Sequence, residues 1–177
     1  LAHELGHSLH SELASEAQPY VYADYEIFVA EVASTVNEAL LTAHLLETVE
    51  DPRVREHVLN EYLERFRSTL FRQTMFADFE HRIHTLAEEG EALTPDRIDE
   101  VYGERKEAYY EPAVVDDHVR REWMRVPHFF YDYYVFQYST GMSAAVAIAE
   151  RIRSEGEQAA ADYLDALRLG GSEYPIS

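Results

Sequence analysis

Leu1-Ala2-His3-Glu4-Leu5-Gly6-His7-Ser8-Leu9-His10 is the stretch of sequence that decides the fold, and it contains the pattern H-E-x-x-H. On an α-helix, His3 and His7 lie one turn apart on the same face, about 6 Å along the axis, so both imidazoles can reach one metal ion. Glu4 is then placed to accept a proton from a water molecule on the metal. The spacing predicts a helix that carries part of a metal site.

Two further residues of this stretch bear on the site. A glycine inside a helix costs about 1 kcal/mol relative to alanine, so Gly6 indicates that another segment approaches the backbone closely. His10 shares the face of His3 but lies about 10.5 Å away along the axis, too far to bind the same ion. Two interpretations of His10 stay open: a residue of the pocket around the metal, or a polar histidine on the helix surface.

One common class of zinc hydrolase is excluded. Proteins of that class have a third histidine at the position where this chain has Leu13.

The third metal ligand should be a carboxylate from another element, which gives a His₂Glu set with one open position. The candidates are Glu12, Glu16, Asp24, Glu26, Glu31 and Glu38. Residues 24–49 are predicted to form one long apolar helix, on which four polar residues share one stripe: Glu31, Ser34, Thr35 and Glu38. A solvated helix face would give the same stripe. Residues 1–52 contain ten Asp or Glu and no Lys or Arg, however, so a divalent metal would supply the missing positive charge.

These residues resemble the active-site region of oligoendopeptidase F, a family in the thimet-oligopeptidase-like group of zinc metallopeptidases. The resemblance lies in HELGHSLH at residues 3–10 and FVAEVASTVNE at residues 28–38. It continues, in the same order, in LFRQTMFADFEH at residues 70–81, PHFFYDYYVFQYSTG at residues 127–141 and LGGSEYPI at residues 169–176. Because it is collinear over nearly the whole chain, the resemblance is far more specific than H-E-x-x-H alone.

The resemblance implies an all-α, zincin-like catalytic domain with one Zn²⁺ ion per chain, bound by His3, His7 and Glu31, and with Glu4 as the general base. It also implies short oligopeptide substrates cut at internal bonds, and a cytoplasmic location. We expect residues 1–177 to be a single helical catalytic-domain fragment of a larger peptidase whose remainder is missing. The isolated fragment is then expected to bind zinc but to cleave peptides poorly.

The segment from Pro127 to Gly141 is the most aromatic in the chain, with seven aromatic residues among the ten from Phe129 to Tyr138. Part of it is expected to be an aromatic core layer, but buried tyrosine hydroxyls need partners, and a peptide-binding cleft offers them. By the resemblance, His128 and nearby tyrosines donate hydrogen bonds to the oxyanion of peptide hydrolysis. The possible hydroxyl donors are Tyr131, Tyr133, Tyr134 and Tyr138. The chain departs from the expected pattern at Phe136, where a tyrosine would stand, so a neighbour must supply that hydroxyl.

The rest of the chain reads as helical scaffold. Asp51-Pro52 and Thr94-Pro95 are typical helix starts, which predicts helices over about 53–88 and 95–108. The small residues of the segment 142–149 predict a closely packed helix, and a last helix is predicted over 157–168, before Gly170-Gly171.

Composition narrows the range of partners. The chain has 34 acidic and 15 basic residues, a net charge of −19, and Lys106 as its one lysine. Such a surface repels nucleic acid and anionic membranes, so neither is an expected partner. We interpret the charge as the acidic coat of a protein adapted to high salt; attraction of basic peptides is the alternative. Without cysteine, disulfides and thiolate ligands are excluded.

Two other functions fit the same sequence. A helical structural or interaction module could retain the histidine pair as a vestigial site that holds no metal. A zinc hydrolase could also act on peptide termini rather than on internal bonds.

Overall fold

The computed structural model describes residues 1–175. Ile176, at which the resemblance ends, and Ser177, at which the predicted domain ends, lie outside the described residues. The described residues form helices joined by turns and loops, with no strand among them, which confirms the all-α prediction. The α-helices are α1 (Ala2–Ala17), α2 (Tyr20–Ala23), α3 (Ile27–Thr48), α4 (Pro52–Arg65), α5 (Arg72–Glu88), α6 (Pro95–Tyr110), α7 (Asp117–Arg120), α8 (Phe136–Glu155) and α9 (Glu157–Leu167). A π-helical segment, Phe66–Phe71, joins α4 to α5, and two 3-10 helices, Glu122–Arg125 and Pro127–Phe130, lie between α7 and α8.

Both predicted helix starts are confirmed. The Asp51 side chain accepts a hydrogen bond from the backbone N–H of Arg53, and Thr94 does the same for Arg97, each with proline as the first helical residue. These side chains pair with N–H groups that lack a partner inside the helix. Local sequence is therefore sufficient to place the beginnings of α4 and α6.

The continuous helix predicted over 53–88 is interrupted, because residues 66–71 adopt π-helical hydrogen bonding between α4 and α5. A π segment takes an extra residue per turn and so shifts the face that the following helix presents. Met75, Phe76 and Phe79 of α5 are buried, whereas α4 has no fully buried residue. A periodic apolar pattern does not reveal this interruption, since both sides of it are helical.

The chain folds into two compact units. The first comprises residues 1–66 and the described residues from 140 onward; the second comprises residues 67–139. In the first unit, Val32 and Val36 of α3 pack with Ala145 of α8, and Ala144 and Ile148 flank this core. The small residues after Gly141 therefore serve close packing, as predicted.

The second unit has its own core, formed by α5, α6 and the segment before α8. Phe79 and Tyr102 are fully buried and meet edge to face, with ring centroids 5.1 Å apart. Phe129 packs against Phe76 and Phe79, so part of the aromatic segment does form a core layer. Within residues 1–175, no helix combines the length and apolarity needed to span a membrane.

Candidate metal centre and aromatic cluster

His3, His7 and Glu31 converge in the first unit. The Nε2 atoms of His3 and His7 lie 3.1 Å apart, and their rings meet edge to face with centroids 4.7 Å apart. Glu31 Oε2 lies 3.7 Å from His3 Nε2, and one ligand atom from each residue falls within 4.8 Å of the others. Among the described residues, no other set of His, Asp or Glu side chains forms such a group.

The spacing of these atoms fits a zinc ion. Ligand atoms at 2.0–2.2 Å from a tetrahedral zinc are about 3.4 Å from one another. The 3.1 Å separation of the two imidazole nitrogens and the 3.7 Å separation of the carboxylate from His3 lie on either side of that value. Two imidazoles with one carboxylate are also a donor set that zinc prefers. Three protein ligands would leave the fourth position of a tetrahedral zinc ion open.

Gly6 explains how two helices bring these side chains together. A Cβ atom at Gly6 would lie 2.5 Å from the Cα of Ser34 and 2.6 Å from the carbonyl oxygen of Ala33, both of them backbone atoms of α3. The helices therefore cross in direct backbone contact at the turn between His3 and His7. The close approach that the sequence predicted at Gly6 is confirmed.

Glu38 and Ser34 contact two of the three converging residues, His3 and Glu31. His3 Nδ1, on the opposite side of the ring from Nε2, lies 3.6 Å from Glu38 Oε2, and Arg65 Nη1 lies 3.1 Å from the same oxygen. The Ser34 hydroxyl is buried, 3.0 Å from the Glu31 carbonyl oxygen and 3.4 Å from Glu31 Oε2. A carboxylate facing the second nitrogen of a metal-binding histidine fixes the ring orientation and makes the histidine a stronger ligand. The polar stripe of α3 is thus partly or fully buried, and the interpretation as a solvated face is wrong.

His10 is buried against Tyr25. Its ring stacks on the tyrosine ring at a centroid distance of 3.5 Å, and only 2% of the residue is exposed. Burial, reinforced by the neighbouring His7, lowers the pKa of His10 to about 4, so the ring is neutral at pH 7. The interpretation as a surface histidine is wrong, because the ring is buried against Tyr25.

Glu4, predicted as the general base, is exposed on α1 between the two histidines. The other five carboxylates considered as a third ligand do not join the group: Glu12, Glu16, Asp24 and Glu26 are exposed, and Glu38 contacts His3 Nδ1 instead. Of the six candidates, only Glu31 lies with both imidazoles, since it precedes Ala33 and Ser34, where α3 crosses α1, by less than one turn of helix.

A separate cluster of four rings forms in the second unit around His128. Tyr134 stacks on His128 at 5.7 Å between centroids, while Tyr131 and Tyr138 meet its ring edge to face at 6.2 and 6.1 Å. The hydroxyls of Tyr134 and Tyr138 are 3.4 Å apart. His128 and three of the four tyrosines named for oxyanion stabilisation are therefore neighbours, and we call these four residues the His128 cluster.

Two residues of the aromatic segment stand outside the His128 cluster. The Tyr133 ring lies beside His84 and His81, with centroids 4.9 and 6.4 Å away. Phe136, where a tyrosine was expected, begins α8 and is 42% exposed. The tyrosine rings in contact with His128 are those of Tyr131, Tyr134 and Tyr138. That one of them supplies the hydroxyl missing at Phe136 stays a prediction.

The comparison with protein families matches residues 1–177 to peptidase family M3. The chain therefore belongs to peptidase family M3. It is 53% identical to oligopeptidase PepF of Bacillus subtilis (strain 168) over 99% of its length, and 50% identical to group B oligopeptidase PepB of Streptococcus agalactiae over 100%. It spans 26% and 30% of the lengths of these two M3 relatives.

Solved structures of similar proteins share the fold. The crystal structure of oligoendopeptidase-F from Enterococcus faecium superposes with a TM-score of 0.86 and 49% identity, covering 99% of this chain and 32% of the other. A crystal structure from Chlamydophila abortus gives a TM-score of 0.91 at 40% identity, covering 99% of this chain and 30% of the other. The helical architecture is therefore that of the matching part of these M3 proteins.

Sequence reasoning missed several contacts at these sites. Ser34 stands three residues after Glu31, so helical spacing alone could have indicated their hydrogen bond. The pairing of Arg65 with Glu38 joins separate helices and has no local signal. Glu80 lies in a segment that the sequence predicts to be scaffold, yet its side chain is buried and accepts a hydrogen bond from the aromatic segment.

Proposed function

We propose that this chain carries the catalytic centre of a zinc metalloendopeptidase of family M3 that hydrolyses short oligopeptides at internal bonds. His3, His7 and Glu31 bind one zinc ion, and Glu4 is the general base. His128, with Tyr131, Tyr134 and Tyr138, donates hydrogen bonds to the oxyanion. The single observation that carries the proposal is the convergence of the two imidazoles and the Glu31 carboxylate within 4.8 Å.

The chemistry divides between the ion and the side chains. Bound by three protein ligands, zinc would act as a Lewis acid and would let a water molecule lose a proton near neutral pH. Glu4 takes that proton and later delivers it to the nitrogen of the leaving amine. Donors of the His128 cluster stabilise the negative oxygen that forms on the peptide carbonyl, each contributing about 3 to 4 kcal/mol. Glu38, 3.6 Å from His3 Nδ1, holds the His3 ring so that Nε2 would be available to bind zinc.

Metal analysis tests the ligand set in the intact protein. We expect about one zinc per chain after purification without added metal, loss of zinc in Glu31→Ala, and full retention in the matched control Glu16→Ala, which removes an exposed carboxylate of α1. A parent protein that contains no zinc and does not take it up would identify a vestigial site and refute the proposal.

Kinetics with an internally quenched peptide test the general base. Glu4→Gln should retain zinc and reduce kcat by about 10²- to 10⁴-fold, since the amide cannot accept the proton. Glu12→Gln, which changes an exposed glutamate two turns further along α1, should leave kcat unchanged. Loss of zinc from Glu4→Gln would mean that this residue supports the metal rather than the reaction.

The donors of the His128 cluster are tested in the same assay. His128→Gln and Tyr134→Phe should both retain zinc. The variant that removes the principal donor should lower kcat by about 10²- to 10³-fold. Tyr20→Phe serves as control, because that tyrosine is almost fully exposed. Normal kcat in each of His128→Gln, Tyr131→Phe, Tyr134→Phe and Tyr138→Phe would remove the cluster from the mechanism.

Product mapping on a mixed peptide library tests the bond selected. Internal cuts support the endopeptidase proposal, whereas release of single terminal residues would indicate a terminal peptidase instead.

Comparing the activity of residues 1–177 with that of the full-length protein tests whether the rest of the chain is needed. Turnover by residues 1–177 close to that of the full-length protein would show that the rest of the chain is not needed.

A further inference from the structure

Glu80 is a buried acid that the proposed mechanism does not use. It lies on α5 with 1% of its surface exposed, next to the core residue Phe79. Its Oε1 accepts a hydrogen bond of 2.8 Å from the backbone N–H of Tyr133, and its Oε2 is buried without a hydrogen-bond partner among the described residues. Burial raises the pKa of this carboxyl, although the bond from Tyr133 and the nearby His84 oppose the shift. An acid in such a place lowers the stability of the fold unless its contacts compensate for the loss of water.

The backbone that Glu80 contacts is strained. Asp132 and Tyr133 have φ angles of 42° and 53°, in the left-handed region that residues with a Cβ atom rarely adopt. Two such residues in succession persist only when surrounding contacts enforce the conformation. On the C-terminal side, buried Val135 anchors the turn in the core. The hydrogen bond from the Tyr133 backbone N–H to Glu80 is the polar contact that holds the turn.

This two-residue turn sets the direction of two rings of the His128 cluster. Tyr131 directly precedes it and Tyr134 directly follows it, and both rings contact that of His128. Tyr131 and Tyr134 also meet each other edge to face, with centroids 5.8 Å apart. If Asp132 and Tyr133 returned to ordinary backbone angles, the chain direction between the two tyrosines would change, and both rings would leave these positions.

We propose that Glu80 is a positioning residue: by accepting the hydrogen bond from the Tyr133 backbone, it holds the Asp132-Tyr133 turn and thereby aligns the Tyr131 and Tyr134 hydroxyls around His128. The kinetic part of this inference rests on the proposed role of the His128 cluster. The structural part does not, which allows the two to be tested separately.

Hydrogen exchange of the Tyr133 amide in the full-length protein tests the structural part. Glu80→Leu removes the acceptor and should speed exchange at Tyr133 by about 10- to 100-fold. Glu80→Gln retains an acceptor oxygen and should preserve most of the protection. Glu89→Leu, an exposed change just after α5, is the matched control. If Glu80→Leu does not fold, Glu80→Asp withdraws the carboxylate by one methylene and should show the same loss of protection.

Steady-state kinetics and inhibitor binding test the positioning role. In Glu80→Leu or Glu80→Asp, kcat and the affinity for a phosphinic peptide that mimics the transition state should fall together, by about 10- to 100-fold. KM, zinc content and the thermal midpoint should change little, and Glu80→Gln should restore most of kcat. A residue needed only for folding would instead lower zinc content, thermal midpoint and kcat together.

Each outcome decides one part of the inference. Unchanged exchange at Tyr133 in a folded variant overturns it, whatever the activity. Lost protection with normal kcat leaves Glu80 holding the turn but overturns its role in positioning the tyrosines, and so does a loss of kcat that only follows lost zinc. A parent protein that cleaves no peptide refutes the proposed function, and exchange then still reports on the contact between Glu80 and the turn.

Discussion

Gly6 determines at a single residue whether the metal ligands can meet. The α1 backbone touches the α3 backbone there, and only the absence of a side chain permits this contact. His3 and His7 flank that contact on α1. On α3, Glu31 precedes Ala33 and Ser34, the residues that Gly6 contacts. The geometry of the metal centre therefore depends on a residue that has no ligand atom.

Gly6→Ala is expected to force the two helices apart, because the added Cβ would lie 2.5 Å from Ser34 Cα. We predict a loss of about 1–3 kcal/mol in the free energy of unfolding, as for other overpacked sites, with weaker zinc binding. Urea denaturation and zinc competition titration measure the two effects. Gly141→Ala is the matched control, since its Cβ would meet only atoms at 3.6 Å or more. Equal stability and zinc affinity in the Gly6 and Gly141 variants would contradict the prediction.

Glu38 acts at the same scale through the second nitrogen of His3. Glu38→Gln removes the negative charge that faces His3 Nδ1 and pairs with Arg65. We expect zinc affinity to fall by about 10- to 100-fold while one zinc still binds at saturation. The measurement is a zinc titration against a chelator of known affinity, with Glu12→Gln as control. Unchanged affinity would show that the contact with His3 does not tune the metal centre.

At the scale of elements, Glu122 connects the 3-10 helix in which it lies to the longer helices α5 and α6. It begins the 3-10 helix Glu122–Arg125 and is mostly buried. One carboxylate oxygen accepts bonds from Arg72 of α5 and Arg125; the other accepts bonds from Tyr102 and Lys106 of α6. Burial alone would raise the pKa of Glu122, but these donors outweigh it and lower the pKa to about 2.

This shift makes the second unit sensitive to acid. Because the folded-state pKa lies below the ordinary value of 4.5, ionised Glu122 stabilises the fold fully above about pH 4.5 and loses that contribution as pH falls toward 2. The shift corresponds to roughly 3 kcal/mol. Glu122→Gln should therefore lower the free energy of unfolding at pH 7 by about 2–4 kcal/mol and reduce its loss between pH 4.5 and 2.

Urea denaturation at pH 7 and at pH 3 checks the prediction for Glu122. Glu100→Gln is the control, because that glutamate is exposed and its ion pair with Arg97 should contribute little. If the parent and Glu122→Gln lose the same free energy on acidification, the carboxylate is not the origin of the acid sensitivity.

At the scale of the whole molecule, the net charge of −19 is the dominant property. Repulsion among the acidic side chains opposes the compact state, and salt screens it, with a Debye length that falls from about 10 Å at 0.1 M to 3 Å at 1 M. The interpretation of this charge as a high-salt adaptation stays a prediction.

The thermal midpoint is therefore expected to rise by about 5 °C or more between 0.1 and 2 M NaCl. A variant in which four exposed acids are neutralised, Glu12→Gln, Glu16→Gln, Glu56→Gln and Glu61→Gln, should show a smaller rise. Calorimetry at both salt concentrations gives the comparison. A midpoint that falls with salt, or the same rise in both proteins, would exclude self-repulsion as the cause.

The sequence by itself determined the relations that lie within one helix. The spacing of His3 and His7, the capped starts of α4 and α6 and the all-α class follow from hydrogen bonds and helical periodicity over a few residues. Gly6 indicated a close approach, because the free-energy cost of a glycine inside a helix can also be inferred from the local sequence. Such features need no knowledge of what the helix packs against.

Only the tertiary structure decided which distant residues meet. It selected Glu31 from six candidate carboxylates, placed Glu38 behind His3, buried His10 against Tyr25 and set the Tyr133 ring apart from His128. These outcomes depend on where helices cross and on turns such as Asp132-Tyr133. Crossings and strained turns result from the packing of residues that are far apart in the chain, and no local pattern encodes them.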